Sequence, residues 1–255
     1  VVLVLAAAVL GAGALVVLRH GLPSPSAAMP REHRELDPPE LGAHPAPPTE
    51  PGVRVLCYHY FRRRADAGYL ARVAGAVILN LPTLGDREFW TVPIAEFERH
   101  LALLRDAGIT VVTLDELAAR RADGEPPPNR AVVITIDDAD RSVYDLAWPV
   151  MRRFGVRGHL FVPTAKVGQR WNGLEVCTWD QLAEMAASGV LLVESHTHDL
   201  HHKVDTGAGI EPVFWHASGR VAQDLRTSRD VVAARLGRPP RYVAWPYGFG
   251  DGALD

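Results

Sequence analysis

The first eighteen residues, VVLVLAAAVLGAGALVVL, carry no polar side chain on any face. At a rise of about 1.5 Å per residue such a run just reaches across a bilayer core. A packed helix of a soluble domain is rarely apolar all round. Residues 1–21 are therefore expected to be a signal anchor or a signal peptide. Ser26-Ala27-Ala28 offers a weak small-residue cleavage site. The pattern then changes abruptly. Residues 22–52 hold nine prolines and few large apolar side chains, so they bury too little surface to order themselves and read as an extended linker.

From residue 53 to 255 short β-rich runs alternate with helical periodicity, which predicts βα units around a mostly parallel sheet, an α/β fold. Strands are expected at Val53–Tyr58, Ile109–Thr113, Ala131–Ile136, His159–Val162, Val190–Glu194 and Tyr242–Trp245. The run AVVITI (Ala131–Ile136) is continuously apolar and β-branched, as in a strand buried on both faces. Between them, Phe97, Leu101 and Leu104 mark one face of a helix from Ile94 to Asp106 that stops at Gly108. Further helices are expected at Leu114–Arg121, over 142–154, from the capping-box spacing Thr178-Trp179-Asp180-Gln181 to about Gly189, and over Val221–Leu236. Residues 62–91 are irregular, longer than most connections, and read as a rim or lid. Polar clusters fall at the C-terminal ends of successive strands, the edge where parallel α/β folds assemble their sites.

Bulk composition adds exclusions. A net charge of −3 with eleven histidines carries no nucleic-acid footprint. Cys57 and Cys177 are the only cysteines. Two make no disulfide framework, and both read as small buried hydrophobes.

The chemistry sits in four places. Asp137-Asp138 closes the apolar strand, and two adjacent carboxylates are costly to desolvate without a cation or donors to compensate. In His196-Thr197-His198-Asp199-Leu200-His201-His202, a five-residue spacing lets two imidazoles bend onto one ion. Spacing alone leaves open which two of the four histidines bind. One carboxylate plus two histidines leaves coordination positions free, which is a catalytic arrangement. Trp245-Pro246-Tyr247-Gly248 fixes a tight turn, read either as an aimed backbone N–H or as a plain packed turn. His59 ends the first strand.

These residues resemble the polysaccharide deacetylases of the NodB-homology type, carbohydrate esterase family four. Thr135-Ile136-Asp137-Asp138-Ala139-Asp140 is similar to the family's Thr-Phe-Asp-Asp-Gly-Tyr motif, and His196-Thr197 with His201 matches its second. The Leu56-Cys57-Tyr58-His59 strand and the Trp-Pro-Tyr-Gly turn look like the branch of exported poly-β-1,6-N-acetylglucosamine deacetylases. The resemblance spans about residues 53–250. It implies a distorted (β/α)7 barrel, here incomplete at the C-terminus because the chain stops at Asp255. It implies a divalent metal, zinc first, on Asp138, His196 and His201. It also implies catalytic roles for Asp137 as base, His59 as general acid and the Tyr247 backbone N–H as oxyanion donor. The substrate would be an N-acetylated polysaccharide outside the cytoplasmic membrane, with the membrane touched only through the N-terminal segment.

Two departures stand out. Ala139-Asp140 replaces Gly-Tyr, adding a methyl and a third carboxylate beside the expected metal. Ala244 stands where many members carry an arginine. A hydrolase acting on another amide or O-acetyl ester, and an inactive tethered glycan-binding module, are the alternative readings.

Overall fold

A computed structural model describes residues 53–63, 90–207, 209–216 and 218–248. The expected anchor (1–21), the linker (22–52) and most of the irregular 62–91 segment lie outside the described residues. No helix among those described is long and apolar enough to cross a membrane.

In chain order the elements are β1 (Arg54–Tyr58), β2 (Tyr60–Arg62), β3 (Thr91–Pro93), α1 (Ile94–Asp106), β4 (Thr110–Val111), α2 (Leu114–Ala122) and β5 (Ala131–Ile136). A π-helical turn, Val143–Ala147, leads into α3 (Trp148–Phe154). Then come β6 (Gly158–Val162), β7 (Arg170–Trp171), β8 (Leu174–Glu175), α4 (Trp179–Ala187), β9 (Leu191–Ser195), β10 (Lys203–Asp205), β11 (Ile210–Pro212) and α5 (Ser218–Leu236).

The central sheet is five-stranded and parallel, in the order β1-β5-β6-β9 with β4 also on β5. Every residue of β5 is buried, as its unbroken apolar run predicts. Val132 pairs with Arg54 of β1 and with Val111 of β4, so those two strands take opposite edges of β5. Strand β6 joins β5 only at its C-terminal end, through Thr135↔His159 and Ile136↔Leu160. Among the described residues the sheet does not close on itself. The α/β architecture with its parallel sheet is present; the expected barrel closure is not among these elements.

Local sequence accounts for most boundaries. Helix α1 buries Phe97, Leu101 and Leu104 and stops at Gly108, whose φ of 64° suits a residue without a Cβ. Both Thr113 and Thr178 close full capping boxes, with Glu116 and Gln181 respectively. The helix expected over 142–154 begins instead as a π turn, because Pro149 offers no N–H to continue the ladder and its ring crowds the preceding turn. The strand expected at Tyr242–Trp245 shrinks to one bridge, Ser195↔Val243. That segment runs along only the last residue of β9, where Ser195 N–H donates to Tyr242 O and Ala244 N–H to Ser195 O.

Phe97 and Leu101 pack with Ile134, Ile136, Met151, Leu160, Leu182, Met185 and Leu191 in the main core. Gly158 is the tight point. A Cβ there would stand 2.9 Å from both Ile134 O and Met151 Cε, so β5 and α3 approach only because the side chain is absent.

Candidate metal centre

The site forms where β5, β9 and the 242–248 segment end together. Beyond β5 the chain turns sharply: Asp138 and Ala139 take φ of 67° and 52°, values that non-glycine residues adopt at a cost of about 1–2 kcal/mol. The turn sends the two carboxylates in different directions. Asp138 is buried and receives the Tyr60 hydroxyl on Oδ2 at 2.5 Å. Its Oδ1 lies 3.2 Å from His201 Nε2 and 3.6 Å from His196 Nε2. One ligand atom from each of Asp138, His196 and His201 lies within 4.8 Å of the other two.

Three observations test whether a divalent ion fits. His196 Nδ1 lies 2.8 Å from the Ala244 carbonyl, which can only accept, so Nδ1 carries the proton and Nε2 presents a lone pair. Burial, outweighing the Asp138 charge that raises it, lowers the His196 imidazole to about 4, so it stays neutral as a ligand must. Asp138 Oδ1 is buried, has no hydrogen bond of good geometry, and faces the two imidazole nitrogens. A tetrahedral zinc with bonds near 2.0–2.2 Å would set neighbouring O and N ligands about 3.4 Å apart. The observed 3.2 and 3.6 Å bracket that figure. The donor set fits.

For Asp138, burial alone would raise the pKa, but contact with His201, the fields of His196 and His201 and the Tyr60 hydroxyl hold it below the usual carboxylate range. Asp137 goes the other way. Burial first, then the Asp138 charge, push its carboxyl up to about 7, where a general base is most effective near neutral pH. Its backbone N–H donates to Tyr58 O, and the Cys57 thiol reaches Oδ2 at 3.7 Å. His59 stands beside this pair under Trp90, ring centroids 4.6 Å apart. Its pKa is lowered by burial, against the Asp138 charge that raises it.

The loop between His196 and His201 is held from α5. Asp224 accepts from His198 N–H at 2.6 Å and Asp199 N–H at 2.8 Å. One turn on, Ser228 Oγ meets Ser195 Oγ at 2.8 Å. His198 binds Thr164 rather than the trio, with Nδ1 2.9 Å from Oγ1, and His202 is exposed. Buried Glu194 accepts from the Arg241 and Tyr242 N–H groups at 2.6 and 3.1 Å. It thereby fixes the segment whose Ala244 carbonyl orients His196. Tyr247, at φ 64°, sets its ring 4.8 Å from that of His201, and the Trp171 ring lies at the same distance.

Asp137, Asp138, His196, His201, His59 and Tyr247 thus fall in one neighbourhood. Two expectations fail. Asp140 is no third carboxylate at the trio: its Oδ1 accepts from Ser142 N–H, and it lines a separate open cleft of about 420 Å³ with Arg141 and Glu175. Cys57 is not a buried hydrophobe but an exposed residue beside Asp137, whereas Cys177 is buried as expected. The sequence reading passed over Tyr60, Asp224 and the two tryptophans. An aromatic two residues beyond Tyr58 was the one available signal; for Asp224, on a remote helix, there was none.

A family model described as polysaccharide deacetylase matches residues 124–254. A poly-beta-1,6-N-acetyl-D-glucosamine N-deacetylase of Staphylococcus epidermidis is 30% identical over 161 residues, and one of Staphylococcus aureus 26% over 160. Each alignment covers 62% of this chain and 54% of the relative, so the chain spans about half the length of the curated relatives it matches. Among solved structures, IcaB from Ammonifex degensii superposes with a TM-score of 0.64 at 32% identity, covering 79% of this chain and 76% of that one.

Proposed function

As the chain belongs to the polysaccharide deacetylase family, we propose that it is a metal-dependent hydrolase removing N-acetyl groups from a β-1,6-linked N-acetylglucosamine polymer. The observation that carries this reading is the buried Asp138 Oδ1 facing two imidazole nitrogens, with a carboxyl of raised pKa one residue away.

Asp138, His196 and His201 would hold the cation, zinc being favoured by one carboxylate with two imidazoles. That ion would supply Lewis-acid polarisation and acidify water. Asp137 takes the proton of the attacking water. His59 takes up a proton from solvent and gives it to the departing sugar amine. The Tyr247 N–H donates to the developing oxyanion. Trp90, Trp171 and Tyr247 offer aromatic faces around the mouth, suited to the apolar face of a pyranose. A distorted (β/α)7 barrel is the proposed architecture of the whole domain. The apolar residues 1–18 and the proline-rich 22–52 support export, with the domain anchored to or secreted beyond the membrane.

The test is acetate release from N-acetylated β-1,6-glucosamine oligomers by zinc-loaded protein. Asp138→Asn should lose metal and turnover together, whereas His59→Ala should lose turnover and keep the metal. No acetate from the loaded wild type would overturn the reading. Release from O-acetylated polymers alone would move it to an esterase.

A further inference from the structure

A second cluster with metal-ligand geometry adjoins the first. Cys57 Sγ lies 3.7 Å from Asp137 Oδ2 and 4.0 Å from His59 Nδ1. One ligand atom from each of these three residues lies within 4.8 Å of the other two. A tetrahedral ion with a metal–sulfur bond near 2.3 Å and metal–nitrogen or –oxygen bonds near 2.1 Å sets such neighbours about 3.6 Å apart. The observed separations exceed this by a few tenths of an ångström, which side-chain rotation can close.

The charges also suit. A thiolate, a carboxylate and a neutral imidazole balance a doubly charged cation. Asp137 Oδ1 is buried without a hydrogen-bond partner among the described residues, so the carboxylate carries unused acceptor capacity. Cys57 is exposed, which gives an ion a route in. A thiol simply donating to Asp137 would account for the sulfur–oxygen contact. The imidazole nitrogen of His59, two residues further on, stands 4.0 Å from the same sulfur.

We propose that Cys57, His59 and Asp137 form a second, inhibitory cation site for thiophilic divalent ions such as Cd2+ or excess Zn2+. The inhibitory part rests on the reading of Asp137 as base and His59 as acid, because an ion bound there occupies both. On binding, the sulfur–hydrogen bond of Cys57 is replaced by a sulfur–metal bond and the proton leaves to solvent. No oxidant or reductant takes part. Sulfur selects the ion, since thiolate prefers soft and borderline cations over Mg2+ or Ca2+.

Cadmium titration of the zinc-loaded chain tests the site, read by bound-metal stoichiometry and by ultraviolet thiolate-to-cadmium charge-transfer absorbance. Wild type should take up one further equivalent with that band. Cys57→Ser should lose the band and bind the further equivalent at least about 100-fold more weakly, since losing a group that merely orients a ligand already costs roughly 10–100-fold. His59→Gln should weaken it likewise. Asp138→Asn should keep the band, because Asp138 supplies no ligand atom to the second site. Acetate release, normalised to each variant's own uninhibited rate, should fall with the further equivalent in wild type and resist the same Cd2+ concentration in Cys57→Ser. No further equivalent in wild type, or a band that persists in Cys57→Ser, overturns the site. A band-bearing equivalent that leaves acetate release untouched overturns its inhibitory role. Absence of deacetylase activity under every condition would refute the functional reading and leave the binding result standing.

Discussion

Asp224→Ala should loosen His201, the second histidine of the proposed metal trio, without removing any proposed ligand. His196 is oriented by the Ala244 carbonyl, but His201 Nδ1 is buried with no partner. Besides its ring contacts with Trp171 and Tyr247, the position of His201 depends on the backbone of its loop. Asp224 holds that loop with two N–H···carboxylate bonds of 2.6 and 2.8 Å, to His198 and Asp199. A hydrogen bond to a charged group contributes about 1.5–3 kcal/mol. At this partly exposed helix surface water replaces part of it, leaving about 2 kcal/mol for the pair. If the loop must be ordered again when metal binds, that same quantity appears as roughly 30-fold weaker zinc binding. The result would lie within the 10–100-fold range for partners that orient metal ligands. Asp224→Asn keeps one acceptor oxygen and should lose about half. Chelator competition for zinc, with the visible spectrum of the cobalt form as a check on geometry, measures this directly. Zinc affinity within about threefold of wild type in Asp224→Ala, alongside a clear loss of thermal stability, would refute the coupling and leave Asp224 with a structural role only.

Other outcomes follow from the same geometry. Because the Asp137 carboxyl is raised to about 7 in the folded chain, its proton is held more tightly there than in the unfolded chain. The stabilisation it contributes is full below about pH 4 and lost as pH climbs through 7, by at most about 4 kcal/mol. Urea unfolding of metal-free protein should show this decline, Asp137→Asn should flatten it, and equal slopes in the two proteins would reject it. Ala139→Gly relieves a left-handed alanine but removes a fully buried methyl and loosens the unfolded chain. Stability should therefore change by less than about 1 kcal/mol, with zinc affinity unaltered because that methyl packs in the core; a tenfold tighter zinc constant would contradict this. Gly158→Ala forces a methyl to within 2.9 Å of Ile134 O and Met151 Cε and should cost about 1–3 kcal/mol in denaturant unfolding. A neutral effect would mean that β5 and α3 can move apart freely.

Asp137-Asp138, His196 and His59 each follow the end of a recognisable strand run, whereas singling out His201 and Tyr247 took the family resemblance. Cys57 and Asp140 were misjudged. On an edge strand a cysteine's surroundings depend on what covers the edge, and a carboxylate after a sharp turn points where the turn sends it. Ala139 belongs with them, since its methyl looked like an intrusion on the metal and lies in the core instead.

Elements whose signals are local could be read from the chain alone. The unbroken AVVITI run specified a strand buried on both faces, the Phe97-Leu101-Leu104 stripe and Gly108 bounded α1, and the capping box at Thr178 placed the start of α4. These depend on side-chain period and on the dihedral freedom of single residues, which act over a few positions. Tertiary structure decided everything that joins distant segments. It aimed the Ala244 carbonyl at His196, brought Asp224 under the histidine loop, and set Cys57 against Asp137, eighty positions away. Desolvation and charge–charge coupling, which move the Asp137 carboxyl up and hold the Asp138 carboxyl down, exist only once those segments pack together.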